Sequence, residues 1–393
     1  MSGQVAYGEN YFPRPKEEAK IWRYLDRGSH LILLAPRRFG KTSLLRSLER
    51  SPKEGYVFLY TIVHSCETEH DYYKRIIEQL YDTDFVSNLQ KATKQGRSFI
   101  LNAIRSIDNI QIADTGITLS NNKQHITHKD LVKVINTLSI EKKLIIILDE
   151  YPDVVEKISR IKGHQAATQF LTHARELCQD TQLNKKVQFI FTGSIGLDTL
   201  ANRLKLSNLI NDRDKLKLSP LTNTQAIEFI HFLTRKNKST LQLTTDSIDY
   251  FLQKVEWLIL YYLEILWERL EDHCDENNII TPSNKDIDLA YESLFEQHYR
   301  SNFNHWAERL QRFEKTEQIL AKALLDHVAK KGQITLNEYI NISQEKKYQA
   351  INPHYVMDCL EHDGYIFETQ ETIYQFTSPI LKDWWNRYAD RTL

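Results

Sequence analysis

The sequence predicts an α/β fold, a parallel helix-flanked sheet carrying a P-loop, followed by an all-helical stretch and a helix–helix–helix–hairpin module. Three observations predict it. Apolar runs of strand length alternate with amphipathic helices as far as Leu218. The first of these strands runs straight into a loop that holds Gly40, Lys41 and Thr42. Beyond Leu218 the pattern changes twice, first to helix alone and then to short helices ending in a β alternation.

Taken in order, Glu17–Leu25 has its apolar residues on one face and is closed by Gly28, which makes it a short helix. "HLILLA" (His30–Ala35) is continuously apolar, as a strand buried on both faces requires. Ser43–Leu48 continues the loop as a helix, Gly55–Val63 is a second strand, and His70–Tyr81 is helical. An insertion at about 83–129 begins as helix and then alternates as a hairpin around Asp114, Thr115 and Gly116. "KKLIIILDEYPDVV" (Lys142–Val155) holds the strongest strand, which ends in two acids. Gln165–Gln179 is an amphipathic helix, and Lys186–Leu197 is strand then loop. Arg203–Lys217 alternates basic with apolar residues and reads as a solvated helix face. Thr222–His273 is helix throughout. The final segment gives helices over Thr316–Lys330, Leu336–Ile342 and His354–His362, then a hairpin over Tyr365–Pro379, which is a winged-helix order.

The composition excludes several classes. A chain of 393 residues is long for one core, so two or three domains are expected. A net charge of −1 provides no global field for nucleic acid or acidic lipid. The four cysteines lack CxxC spacing, against a zinc site or a disulfide framework. Among fourteen histidines, His125, His128 and His173 included, no HExxH or His-x-His pattern suggests a metal. The N-terminus is not a signal peptide, and the apolar run Trp257–Trp267 is interrupted by Glu264 and too short for a bilayer. A cytoplasmic protein is expected.

The chemistry is carried by four motifs. Ala35 occupies the first glycine position of G-x-x-x-x-G-K-[ST], and Gly40, Lys41 and Thr42 complete it between a strand and a helix. Gly40 allows the backbone N–H groups to turn onto phosphates, Lys41 places a charge between the outer two, and the Thr42 hydroxyl suits Mg2+. The helix starting at Ser43 adds its positive dipole end. The second motif is Asp149 and Glu150, at the end of "LIIILDE". Asp149 is placed for the magnesium shell and Glu150 as the base that activates water. Binding alone needs only Asp149, so Glu150 points to turnover. The third is Thr192 and Ser194 in "FIFTGSIG", which close the next strand as candidate γ-phosphate contacts or as a plain turn. The fourth is Arg213, a candidate sensor or arginine finger, or else a solvated surface arginine.

Together "YFPRPKEEAKIWRYLDRG", "LLAPRRFGKTSLL", "LIIILDEYPDVV", "FIFTGSIGLDTL" and "INDRDKLKLSPLTNTQA" resemble the AAA+-related P-loop ATPases of archaeal type. These belong to the STAND class and are similar in layout to origin-recognition initiators. The resemblance covers nearly the whole chain. It implies an AAA+/RecA-like core at 1–220, a helical lid at 221–300 and a winged-helix domain at 301–393. It also implies ATP/ADP and Mg2+ as ligands, with the loop Pro36, Arg37, Arg38, Phe39, Gly40, Lys41, Thr42 and Ser43 around the phosphates. Tyr11, Phe12 and Arg14 match the segment that relatives use near adenine. Choice of ATP over GTP rests on this likeness and on the lack of an NKxD motif. Many relatives carry Gly-x-Pro in the lid, whereas "EWLILYYLEIL" (Glu256–Leu266) has neither residue and places Leu260 where proline would stand.

The third helix of the winged module argues against duplex DNA. "HYVMDCLEHD" contains Asp358, Glu361 and Asp363 and neither Lys nor Arg, and Glu368 and Glu371 add to the wing. Adjacent Trp384 and Trp385 read as packing for the wing, with a protein-contact patch as the alternative. The expected function is an ATP-dependent switch with slow hydrolysis, coupled to a protein partner or to self-assembly. A DNA-handling ATPase of the initiator or transposition-helper kind and a non-hydrolysing nucleotide scaffold are the two other readings.

Overall fold

Five parallel strands carry the fold of the first two hundred residues, in the order β2-β5-β6-β1-β7. In the computed structural model, residues 5–6, 8–81, 110–113, 116–119, 126–137, 141–193, 196–311, 313–345, 348 and 351–392 are described. The chain divides into two units. The core unit comprises Pro13–Ala35 and Lys41–Leu218, and the C-terminal unit Met1–Phe12, Pro36–Gly40 and Ser219–Leu393.

The core unit begins with α1 (Pro15–Asp26), whose first turn holds Pro15, Glu17 and Glu18, all suited to a helix start. β1 (Leu31–Leu34) and α2 (Lys41–Arg50) precede β2 (Tyr56–Ile62) and α3 (Glu69–Tyr81). In the insertion, β3 (Ile110–Ala113) and β4 (Gly116–Leu119) pair antiparallel, as the alternation predicts. The helix expected before them, and Asp114 and Thr115 between them, lie outside the described residues. Next come α4 (His128–Thr137), β5 (Lys143–Asp149), α5 (Tyr151–Lys162), α6 (His164–Gln179), α7 (Leu183–Lys186), β6 (Val187–Thr192), α8 (Leu197–Arg203) and β7 (Asp214–Lys217). Leu144 to Leu148 are fully buried and all six β6 residues are buried, because helices cover both faces of a parallel sheet.

β5 ends at its two acids, as expected. The strand stops at Asp149, Glu150 turns the chain in a left-handed conformation, and Pro152 sits in the first turn of α5. One expectation is corrected, since Arg203–Lys217 is not a solvated helix face. Its last four residues form β7, parallel to β1, with Leu216 buried and its neighbours exposed. That is the period-two pattern of an edge strand.

In the C-terminal unit, α9 (Asn223–Asn237) starts with a Thr222/Gln225 capping box and α10 (Thr245–Val255) with Thr244 as cap. α11 (Leu260–Asn277), α12 (Asn284–Ser293) and α13 (Asn304–Leu310) follow. Then come α14 (Lys315–Lys331), β8 (Ile334–Thr335), α15 (Leu336–Ser343), α16 (Pro353–His362), β9 (Ile366–Gln370), β10 (Ile373–Phe376) and α17 (Pro379–Thr392). The small sheet has the order β8-β10-β9, so three helices and a hairpin stand in winged-helix order. Trp384 and Trp385 are buried, and the Trp385 indole donates to Asp326 Oδ1 at 2.8 Å. They pack the module itself. Residues 221–300 and 301–393 fall within this one unit.

Candidate nucleotide-binding site

A parallel sheet brings all its strand ends to one edge, and ligands of such sheets bind at the C-terminal edge. Here β6 lies between β5 and β1, with Thr192 in register with Asp149 on one side and Leu33 on the other. Leu34, Asp149 and Thr192 thereby end three neighbouring strands. After Ala35 the chain passes through Pro36–Gly40, where Gly40 adopts φ +84°, and enters α2 at Lys41. The left-handed turn needs glycine, and the start of α2 presents the positive end of its dipole to an anion.

Four side chains meet at the Asp149 carboxylate and the start of α2. Lys41 is buried, and its ammonium donates to the Ala35 carbonyl. The Thr42 hydroxyl lies 3.5 Å from Asp149 Oδ2, and the Tyr60 hydroxyl donates to that same oxygen. The Glu150 N–H donates to Asp149 Oδ1 at 3.1 Å. Burial pushes the Asp149 carboxyl above the ordinary range, against the Tyr60 hydrogen bond. Burial and then the charge of Asp149 push the Tyr60 phenol up as well. A hydroxyl and a buried carboxylate facing each other beside a lysine are the oxygen ligands that Mg2+ takes next to phosphates, so these residues fit that ion.

Glu150 occupies the N-cap position of α5 at φ 61°. Its carboxylate lies over Gly193, just beyond the end of β6. A Cβ at Gly193 would stand 3.2 Å from Glu150 Oε2 and 2.6 Å from Pro152 Cδ, so glycine is required there by contact. Thr192 is buried and donates to the Leu33 carbonyl at 3.1 Å, bracing β6 to β1. Ser194 lies outside the described residues. Arg213 is held inside the core unit. Its guanidinium sits 4.6 Å from the centre of the Phe191 ring and donates to the Leu209 carbonyl and to Asp212. With a side chain 1% exposed it is not a solvated arginine.

Ser43 follows Thr42 in the first turn of α2, and Arg14 is buried at the start of α1, paired with Glu17 at 3.2 Å. The other expected residues belong to the C-terminal unit. The Tyr11 N–H donates to the Gly8 carbonyl. The Phe12 ring meets Phe229 and Phe232 of α9 edge-on at 5.1 and 5.6 Å. Within that same unit, Phe39 packs on Trp257 at 5.1 Å, and Arg38 lies 4.6 Å from the Tyr261 ring centre. A Cβ at Gly40 would be 3.3 Å from Leu260 Cδ1, and one at Gly364 3.3 Å from Pro36 Cβ. Leu260 is therefore a packing partner of the loop. Arg37 and Arg38 contribute positive charge near His305, whose imidazole is held well below its usual pKa, mainly by burial.

Tyr60 and Gly193 are site residues that the motifs do not flag. A tyrosine facing the middle of an otherwise apolar sheet is a signal for the first, and the Thr-Gly-Ser turn a weak one for the second.

No protein-family model matches the sequence, and comparison with curated proteins gives no match. Among solved structures, the chain is similar to a Walker-type ATPase of Pyrococcus abyssi, with a TM-score of 0.64 at 16% identity over 97% of each chain. It is also similar to the ORC2 protein of Aeropyrum pernix in its ADPNP–ADP complexes, with a TM-score of 0.50 at 14% identity. That match covers 94% of this chain and 92% of the other. With the sheet order and the loop between β1 and α2, these likenesses give the chain the fold of the AAA+-related P-loop ATPases in their initiator-like layout.

Proposed function

We propose that this chain is an ATP-binding, slowly hydrolysing molecular switch of the AAA+/STAND type. The observation that carries the reading is the meeting of Thr42 with Asp149, beside Lys41, at the ends of neighbouring strands. Thr42 and Asp149 would hold Mg2+, which neutralises charge on the outer phosphates. Lys41 exchanges the Ala35 carbonyl for phosphate oxygen, and the loop Pro36–Gly40 with Ser43 surrounds the phosphates. Glu150 accepts the proton of the attacking water, a role supported by the place of its carboxylate over Gly193 at the end of β6. Thr192 and Ser194 are assigned to sensing the γ-phosphate, and Tyr11, Phe12 and Arg14 to the adenine side. The switch works through contacts made only while the γ-phosphate is present. Its output is a protein partner or self-assembly. The acidic α16 weighs against DNA as that partner.

Steady-state ATP turnover and equilibrium ATP binding, measured for wild type, Lys41→Ala and Glu150→Gln, test this. We expect Lys41→Ala to lose binding. Glu150→Gln should keep binding and lose at least about 100-fold in turnover. A wild type that binds ATP and releases no phosphate, concentrated or with DNA, makes the chain a nucleotide scaffold.

A further inference from the structure

A second cluster of chemistry-bearing side chains lies in the core unit, where three helices meet. Glu69 opens α3, His128 opens α4, and His173 lies within α6. One potential ligand atom from each lies within 4.8 Å of the other two. His173 Nδ1 is 2.6 Å from Glu69 Oε1, and His128 Nε2 is 3.1 Å from Glu176 Oε2, one turn further along α6. The two imidazoles face each other with ring centres 4.0 Å apart and a tilt of 31°. His128 is 7% exposed, and its Nδ1 has no hydrogen bond among the described residues.

A neutral imidazole has one N–H and one lone pair. When His128 gives its Nε2–H to Glu176, it keeps a lone pair on buried Nδ1, and that lone pair has no donor among the described residues. A buried acceptor left unpaired is costly, so the arrangement calls for an electrophile. Two carboxylates close to two imidazoles supply the charge that cancels a dication, which a buried cation requires. Nitrogen ligands favour the zinc-type ions over Mg2+ and Ca2+, which prefer oxygen throughout.

We propose that Glu69, His128 and His173 form a binding site for one divalent transition-metal ion of the zinc type. Glu176 is the positioning residue, holding His128 by Nε2 so that Nδ1 is left to ligate. Tetrahedral zinc with bonds of about 2.0–2.1 Å needs ligand atoms about 3.4 Å apart. The ligand atoms, now within 4.8 Å of one another, close to that spacing when the ion binds. Three protein ligands leave a fourth position for water. The ion would tie α3 to α4, the helices on either side of the insertion, and both to α6. No sequence motif announces it, since the ligands are spread over three helices with no short spacing between any two.

The test uses the full chain, stripped with a chelator and titrated with Zn2+ against a chromogenic competitor, without nucleotide. We expect one Zn2+ per chain and a rise in thermal midpoint on binding. His173→Gln should weaken binding at least about 100-fold and Glu176→Gln about tenfold. Asp149→Asn should leave zinc affinity unchanged, which separates this cluster from the nucleotide site. Should His173→Gln fail to fold, the more exposed Glu69→Gln takes its place. The proposal is overturned if the wild type takes up no zinc, if the ligand variants bind as it does, or if Asp149→Asn abolishes uptake.

Discussion

At the scale of single residues, contact distances decide what each side chain can do. A methyl group at Gly193 would press on Pro152 Cδ at 2.6 Å and on the Glu150 carboxylate. Gly193→Ala has to displace one of them. We expect ATP affinity to survive and kcat to fall roughly 10- to 100-fold, the effect of moving a reacting group by about an ångström. An unchanged kcat would remove Glu150 from the water's position. His30 gives a pH prediction. It is buried at the start of the sheet, where its Nδ1 accepts from the Phe189 N–H and its Nε2 contacts Asn184 Oδ1 and the Cys178 carbonyl. Burial pulls its pKa down to about 4, against its hydrogen bond to Asn184. The unfolded chain therefore takes up a proton at about pH 6.5 that the folded one refuses until about pH 4. Stability is full above that upper value and declines as pH falls, by up to about 3 kcal/mol, levelling off below the lower one. Urea unfolding between pH 7 and pH 4 checks this, and in His30→Gln the slope should flatten even though stability at neutral pH is lower. Lys41, Thr42, Asp149 and Glu150 were legible in the sequence because the requirements of a phosphate loop and of a strand end are local. Tyr60 was not. Its partner Asp149 is 89 residues away, and only the register of β2 on β5 brings the two together.

At the scale of elements, Val154 and Val155 suit a strand by propensity, but both are fully buried within a helix, because Glu150 and Pro152 set the turn before them. The misreading of Arg203–Lys217 also has a physical cause. "DKLK" is too short to show a period, and it becomes β7 by pairing with β1. Arg213 lies immediately before β7, so its role follows from that strand's position. Arg213→Ala removes a guanidinium packed on Phe191 and leaves Asp212 without it. We expect a loss of about 3 kcal/mol, read as a lower midpoint in denaturant. A variant with wild-type stability and no turnover would return Arg213 to the role of phosphate sensor.

At the scale of the whole molecule, the order of core sheet, helices and winged module was legible. Strand runs, helical periods and hairpin alternation are each written in local sequence. The grouping of Pro36–Gly40 with Ser219–Leu393 was not, since it depends on rings such as Trp257 and Tyr261 far along the chain. Net charge and the acidic α16 belong to this scale too. Fluorescence anisotropy with duplex DNA should show no saturable binding at low salt. Binding that weakens steeply with added salt would instead favour the DNA-handling reading. The left-handed backbone at Glu150 reaches furthest. Such a conformation costs a side-chain-bearing residue on the order of 1 kcal/mol, a cost that glycine escapes. Two laboratory selections on the same gene should therefore diverge at this codon. One that rewards heat resistance alone drifts to Glu150→Gly, and one that rewards phosphate release retains the glutamate.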